Sequence, residues 1–392
     1  MTIARPVYSL SGTAMAGIGD IDPREIERRK ERVRRAWAYR RVDHLPLGFV
    51  LEDFSRYTLR ELCESGEKQL EVNRLSIDRL LRLLPDDYIP VARLWPGYIT
   101  IATMFGIPPH WAEDPMQPPG VLEHPIRDLS QVRSLRLPDP STAGLMSFIL
   151  EWTERFAREL PPCVHLAGAD LGGPLNTAKD LFETDLLFTA FYDDPETFHR
   201  FLDLAADVQI GCYERVIAAA GGLDRLTCID FDPLWAPEGK KGFVSDDVSA
   251  GLSAEHFAAF SRPYNNRIFR RWPGGRLHNC GPHPALAHYL DHEPPINGLN
   301  CSFRFSRIDL SRIREAFSGR GIVEFMFDNG ETPAEILRGY EEAASALSPE
   351  VIAVPVIWLN HTWRDDDIRA LYEGLRSVSV RYAREMRWAG EE

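Results

Sequence analysis

Eight short apolar runs, each followed by a segment with helical periodicity, constrain the fold of this chain more than any other feature. Each run has the length of a buried β-strand. The runs lie at residues 45–52, 88–95, 164–173, 225–234, 276–282, 296–303, 321–329 and 351–358. Strands that alternate with helices predict a parallel sheet. Eight such units over 392 residues predict an α/β protein built as a (β/α)8 TIM barrel.

The segment before the first run has a basic, helix-forming composition. Asp22 is a candidate N-cap, and Pro23 suits the first helical position. We interpret residues 23–41 as a solvated helix on the outside of the fold, or as a docking surface for an acidic partner or a second subunit. We therefore expect an N-terminal helical extension over residues 1–41 and the barrel domain over residues 42–392.

The composition disfavours several classes of protein. Lysine and arginine number 45 against 58 aspartates and glutamates, a net charge of −13, which disfavours a nucleic-acid-binding surface. No apolar run approaches the roughly 18 residues of a membrane span, and the first residues lack the apolar core of a secretory signal. The six cysteines are scattered, as is typical of reduced thiols. We therefore expect a cytoplasmic protein without nucleic-acid or membrane partners.

Polar residues follow six successive predicted strands, from the third to the eighth. In TIM barrels the active site lies at the carboxyl ends of the strands, so these residues are the candidate site. They are Asp170, Asp230, Asp232, His278, Cys280, Cys301, Arg304, Asp328, Asn329, Asn360 and His361. Helix N-caps explain some aspartates and asparagines at such junctions, but they do not explain the two histidines and the two cysteines.

The pair His278-x-Cys280 is the strongest candidate for a metal site. Alternate residues of a strand share a face, and imidazole and thiolate ligands suit zinc. Cys301 ends the next strand, about 4.8 Å away, so the three residues would form an open site. Cys301 taken alone would be typical of a small core residue. The candidates for a fourth ligand are His361, Asp328 and Asn360.

Three aspartates, Asp170, Asp230 and Asp232, are candidate catalytic groups. An acid at a strand end can act as a general acid, as a partner of a ligand histidine, or only as a helix cap. We interpret Asp246 and Asp247 as a solvated pair or an N-cap that could reach the strand ends. The candidates for substrate binding are Arg304, Asp328, Asn329 and Asn360. The sequence shows neither a phosphate-binding loop nor a serine-nucleophile motif.

Five sequence segments resemble the uroporphyrinogen decarboxylase superfamily, and the similarity runs from about residue 40 to the C-terminus. The segments are GADLGGP (168–174), FYDDPETFHRFLD (191–203), SDDVSAGLSAEHFAAFSRPYNNRI (245–268), LHNCG (277–281) and FDNGETPAEI (327–336). Their order and spacing carry the resemblance. It implies a (β/α)8 barrel, in agreement with the strand count.

The resemblance points to one of two branches of the superfamily. The decarboxylases carry an arginine-rich segment near the first strand that holds substrate carboxylates, whereas residues 48–58 are GFVLEDFSRYT. The corrinoid-dependent methyltransferases carry a zinc-binding His-x-Cys-Gly, to which residues 278–281 (HNCG) are similar. A further cysteine of those enzymes follows the last strand, where this chain has WLNH at residues 358–361.

The leading hypothesis is a zinc-dependent methyltransferase. It would move a methyl group between a corrinoid (cobalamin), carried by a partner protein, and a small thiol or other heteroatom acceptor, in either direction. The first alternative is a metal-free decarboxylase-type lyase that uses Asp170 or Asp232. The second is a non-catalytic barrel that binds a corrinoid or another small molecule. A second copy of the chain, forming a homodimer, is a further candidate partner.

Overall fold

The structure is a computed structural model that describes residue 18, residues 21–328 and residues 330–389. Strands alternate with helices, as the sequence predicts. The strands are β1 (Gly48–Glu52), β2 (Val91–Arg93), β3 (His165–Ala167), β4 (Phe243–Ser245), β5 (Arg276–His278), β6 (Gly298–Ser302), β7 (Ile322–Phe327) and β8 (Ile352–Asn360). The helices are α1 (Pro23–Trp37), α2 (Leu59–Cys63), α3 (Gly66–Leu83), α4 (Thr100–Met104), α5 (Met146–Glu159), α6 (Pro174–Leu181), α7 (Thr184–Asp193), α8 (Pro195–Ala219), α9 (Ala254–His256), α10 (Arg262–Arg271), α11 (Phe303–Ser306), α12 (Leu310–Phe317), α13 (Pro333–Leu347) and α14 (Asp365–Glu385). A π-helical turn, Phe257–Ser261, joins α9 to α10.

The strand pairs that the structure describes are parallel, which confirms the predicted α/β class. Six strands form one sheet in the order β1-β8-β7-β6-β5-β4, and β2 pairs with β3 in a second sheet. The register places His278 of β5 between Ser245 of β4 and Asn300 of β6. The described pairing thus gives a six-stranded and a two-stranded sheet rather than one closed ring of eight strands.

The prediction of a fourth strand at residues 225–234 is wrong. This segment makes one parallel bridge to β3 and otherwise bends. Asp230 Oδ1 accepts the Phe231 N–H, and Asp232 Oδ1 accepts the Leu234 N–H. Such local side-chain bonds compete with the hydrogen-bond ladder of a strand. β4 lies further along the chain and pairs with β5.

The helices begin where the sequence shows caps. The side chains of Asp22, Asp194 and Thr332 each accept a backbone N–H from the first turn of α1, α8 and α13, respectively. Apolar faces pack into a large core that includes the six-stranded sheet, and into a smaller cluster around α6, α7 and α8. Among the described helices, none is long and apolar enough to cross a membrane.

The basic helix α1 packs against the rest of the fold. Ile26, Arg29 and Ala36 form its buried face. The Arg29 guanidinium donates to the backbone oxygens of Pro85 and Tyr88, in the loop before β2. At least one of the basic side chains of this helix therefore holds the fold together instead of facing a partner.

Candidate metal centre

A cavity of about 500 Å³ opens at the carboxyl ends of the strands. The last residues of four strands line it: Glu52 of β1, Arg93 of β2, Ser245 of β4 and His278 of β5. Four aromatic side chains form much of its apolar wall: Trp95, Tyr98, Phe231 and Trp358. Parallel α/β folds bind their ligands at this edge of the sheet.

Three ligand-type side chains converge in this cavity. The Nε2 atom of His278 lies 3.3 Å from Oδ1 of Asp247 and 3.5 Å from Sγ of Cys280. One ligand atom from each residue lies within 4.8 Å of those of the other two. In the part of the chain that the structure describes, this is the group of histidine, cysteine and acidic side chains that could hold a metal ion.

The turn after β5 fixes the position of Cys280. Gly281 has a φ of 98°, which residues with a Cβ rarely adopt. A Cβ at this position would also lie 2.8 Å from Oγ of Ser306. The buried Asn279 side chain accepts the Gly281 N–H at 2.7 Å, and the Cys280 N–H donates to Oδ1 of Asp247 at 3.1 Å. The turn therefore holds Cys280 next to Asp247.

A buried asparagine sets the orientation of the His278 ring. Nδ1 of His278 lies 2.7 Å from Oδ1 of Asn300, which is opposite it on β6. The amide nitrogen of Asn300 donates to Asp232 at 3.3 Å and to Glu324 at 3.0 Å, so the amide oxygen faces the ring. An acceptor at this position places the proton of a neutral imidazole on Nδ1. Nε2 then presents its lone pair to the cavity.

Hydrogen-bond donors surround Asp247. Its Oδ2 accepts from Ser245 Oγ at 3.0 Å and from Asn176 Nδ2 at 3.1 Å. Burial raises the pKa of Asp247, but the charge of His278 and the hydrogen bonds outweigh burial and hold the pKa well below its usual range. Burial in turn lowers the pKa of His278, but the Asp247 carboxylate raises it well above its usual value. The charged His278 ring carries a proton on Nε2 as well as on Nδ1. A metal ion that bound Nε2 would displace the Nε2 proton.

The donor set suits zinc. An imidazole nitrogen, a thiolate sulfur and a carboxylate oxygen are the ligands of catalytic zinc sites, in which a fourth position stays open. Ligand atoms placed roughly 2.0–2.3 Å from a tetrahedral ion lie roughly 3.3–3.7 Å apart. The two separations from Nε2 of His278, 3.3 Å and 3.5 Å, match this spacing. The three residues therefore fit a zinc ion.

Replacing Asn300 with leucine is expected to weaken zinc binding by about 10- to 100-fold, because the His278 ring loses the acceptor that orients it. Competition with a chromophoric chelator measures this affinity. N266L is the matched control: Asn266 is also buried, but its Oδ1 accepts the Glu293 N–H at 3.0 Å. Unchanged zinc affinity in a folded N300L protein would show that Asn300 does not orient the ligand.

The structure brings two of the four predicted metal ligands together. His278 and Cys280 belong to the cluster, whereas Cys301 and His361 do not. Cys301 is fully buried in the large core. Because its neighbour Asn300 faces His278, the alternation along β6 turns Cys301 to the opposite face. Nδ1 of His361 accepts a backbone N–H from the segment after β1, at 3.3 Å.

One of the three predicted catalytic carboxylates lines the cavity. It is Asp170, and burial raises its pKa to about 6. Asp230 and Asp232 are fully buried and are not part of the lining. Asp230 accepts the Tyr213 hydroxyl at 2.6 Å, and Asp232 pairs with Arg276 at 3.0 Å. The catalytic roles stay predictions, and Asp170 is the carboxylate of the three with access to a substrate.

The predicted substrate-binding residues are spread over the strand ends. Asp328 lines the cavity. Arg304 is exposed, and its guanidinium lies 5.6 Å from the centre of the Phe305 ring. Asn360 accepts two hydrogen bonds within the turn after β8. Asn329 lies outside the described residues. Their part in binding stays a prediction.

Sequence reasoning missed Asp247 as a candidate ligand. Two apolar residues, Phe243 and Val244, followed by Ser245, directly precede Asp246 and Asp247. A short apolar run followed by polar residues is the pattern that marks the other strand ends. Because the sequence predicts the fourth strand at residues 225–234, it favours a solvated pair or an N-cap that could reach the strand ends, and it does not identify either aspartate as a metal ligand.

Parallel strands whose carboxyl ends gather ligand-type side chains define an α/β protein of the TIM-barrel-like class. Residues 28–302, more than half of the chain, match the family described as Uroporphyrinogen decarboxylase (URO-D). The chain therefore belongs to the uroporphyrinogen decarboxylase family, whose members are enzymes.

Two known proteins show how far the similarity extends. A uroporphyrinogen decarboxylase from Thioalkalivibrio sulfidiphilus (strain HL-EbGR7) is 26% identical over 251 residues, which cover 59% of this chain and 67% of that protein. A methyltransferase from Methanosarcina mazei superimposes with a TM-score of 0.64 at 17% sequence identity, over 89% of this chain and 98% of that one. At this identity the second similarity shows a shared fold.

Proposed function

We propose that this protein is a zinc-dependent methyltransferase. It moves a methyl group between a corrinoid carried by a partner protein and a small thiol or other heteroatom acceptor. The observation that carries the proposal is the convergence of Asp247, His278 and Cys280 in a cavity at the strand ends. A methyltransferase among the structures of the same fold supports it. The proposal includes a closed (β/α)8 barrel as the scaffold.

The chain's own residues prepare this cavity for an acceptor. Asp247, His278 and Cys280 would hold the metal and leave one ligand position facing a space of about 500 Å³. When bound, zinc lowers the pKa of an acceptor thiol and keeps it nucleophilic at neutral pH. Asn300 holds the His278 ring in place, and the aromatic wall limits the access of water to the acceptor.

Metal content and methyl transfer together test the proposal. The purified full-length protein is expected to bind about one zinc ion per chain. With methylcobalamin as the donor, it should methylate a small thiol, lose this activity on treatment with a chelator and regain it when zinc is added. A protein that binds no zinc, or that keeps full activity after zinc is removed, would contradict the proposal.

A metal-free decarboxylase is the second candidate, because the relative from Thioalkalivibrio sulfidiphilus carries that name and because the buried Asp170 lines the cavity. Charge argues against it. The cations in the cavity lining of the zinc-free protein are Arg93, Lys179 and His278, and each lies beside an acid: Glu52 at 3.2 Å, Asp180 at 3.3 Å and Asp247 at 3.3 Å, respectively. Release of carbon dioxide from uroporphyrinogen by the zinc-free protein would favour this candidate.

A further inference from the structure

One corner of the cavity combines two aromatic rings and a buried carboxylate. The rings of Trp95 and Tyr98 meet edge to face, with their centroids 4.8 Å apart and their planes at 77°. Asp170, 8% exposed, lines the same cavity, and its carboxyl group interacts with the Trp95 side chain. Aromatic faces and a carboxylate in one corner are the groups that bind an organic cation.

The cations of the cavity lining form ion pairs with acids other than Asp170. Arg93 pairs with Glu52 at 3.2 Å, and its guanidinium lies 4.5 Å from the centre of the Trp358 ring. Lys179 pairs with Asp180. Within the described residues, no lysine, arginine or histidine nitrogen lies within 4.0 Å of the Asp170 carboxylate. Asp170 is therefore a buried carboxylate whose nearest cations, His278 and Arg93, form their ion pairs with Asp247 and Glu52 instead.

The corner is close to the metal cluster. Tyr98 interacts electrostatically with both Asp170 and Cys280, and Asp170 interacts with His278 and Asp247. The corner and the metal cluster line the same cavity of about 500 Å³, so one small molecule can contact both.

We propose, resting on the proposed function, that the methyl acceptor is a small thiol that carries an ammonium group. Its sulfur would take the open ligand position at Asp247, His278 and Cys280, and its ammonium group would lie against Asp170 and the rings of Trp95 and Tyr98. The thiol proton goes to solvent, and the thiolate forms the new S–C bond. The bond between the methyl carbon and the corrinoid breaks, and its electron pair stays with the corrinoid.

Three thiols that differ in one end group test this proposal: 2-aminoethanethiol, 2-mercaptoethanol and 2-mercaptoethanesulfonate. Calorimetric titration of the zinc-loaded full-length protein at pH 8 gives their dissociation constants. We expect the ammonium thiol to bind about tenfold more tightly than the neutral one, and the sulfonate to bind most weakly. The result does not depend on catalysis or on the corrinoid partner.

Two variants test whether Asp170 causes the preference for the ammonium thiol. D170N should abolish the advantage of the ammonium thiol. D180N removes a carboxylate from the same cavity lining and is the control. Because Asp180 already lies beside Lys179, the preference for the ammonium thiol should persist in this variant. If the thiols bind without an ammonium preference, or if the sulfonate binds most tightly, this inference fails while the proposed function stands. If the zinc-loaded protein binds none of the three, both fail.

Discussion

Replacing Cys280 with alanine is expected to remove zinc from the cavity and to abolish methyl transfer, whereas replacing Cys301 with alanine is expected to preserve both. The two variants make the same chemical change near the ends of neighbouring strands. Sγ of Cys280 lies 3.5 Å from Nε2 of His278, but Cys301 is buried in the core. Only the first change removes a donor atom from the cluster.

The expected loss in C280A is large. Zinc binding of about 10–16 kcal/mol in four-ligand sites corresponds to roughly 3–4 kcal/mol per ligand. Loss of one ligand should then lower the affinity by about two to three orders of magnitude. In C301A the main consequence is a small cavity in the core, which costs about 1 kcal/mol of stability. The activity of C301A should therefore stay close to that of the wild type.

Zinc content after dialysis against a weak chelator, together with methyl transfer from methylcobalamin to a thiol, distinguishes the two variants. D247A should behave like C280A, because it also removes a donor. Circular dichroism shows whether each variant is folded. If C301A lost its zinc and D247A kept it, the ligand set predicted from the sequence would be correct and the cluster around Asp247 would not.

The location of the site could be predicted from the sequence, because strand ends are local features. The apolar runs marked seven of the eight strands, and the polar residues after them marked the edge where the cavity lies. His278 and Cys280 share a face because they are two residues apart, and this relation needs no knowledge of the fold. The structure places both in the cluster.

The third ligand could not be chosen from the sequence, because it depends on the register between strands. Cys301 and Asn300 are adjacent, so one of them faces the cavity and the other the core. The contact between Asn300 and His278 decides this question, and it appears only once β5 and β6 are paired. Asp247 required the correct position of β4, which the aspartate-rich bends at residues 225–234 concealed.

Replacing Arg276 with methionine is expected to lower the free energy of unfolding by about 3–5 kcal/mol, which for a chain of this length corresponds to a fall of roughly 4–6 °C in Tm. Arg276 is fully buried. Its Nη1 atom lies 3.0 Å from Oδ2 of Asp232 and 2.5 Å from Oε1 of Glu324. Methionine fills a similar volume but leaves both carboxyl groups without a cation.

The two carboxyl groups do not contribute equally to this loss. Burial raises the pKa of Glu324 to about 8, so Glu324 holds its proton at neutral pH. One guanidinium then balances one carboxylate, that of Asp232. In R276M the Asp232 charge is the one left buried and unpaired, and an unpaired buried charge is far more costly than a missing hydrogen bond. Thermal and urea unfolding of R276M measure the loss.

The triple variant R276M/D232N/E324Q separates charge from packing. It keeps the shapes of the side chains and removes the unpaired charge at position 232, so most of the lost stability should return. Zinc affinity should change in parallel, because the Asn300 amide donates to both carboxyl groups and accepts from His278. R276M should therefore bind zinc more weakly than the wild type. The triple variant should regain zinc affinity, since the amide oxygens introduced at positions 232 and 324 still accept from the Asn300 amide. If the triple variant were as unstable as R276M, the contacts of the Arg276 guanidinium with the nearby aromatic rings would be the cause instead of its charge.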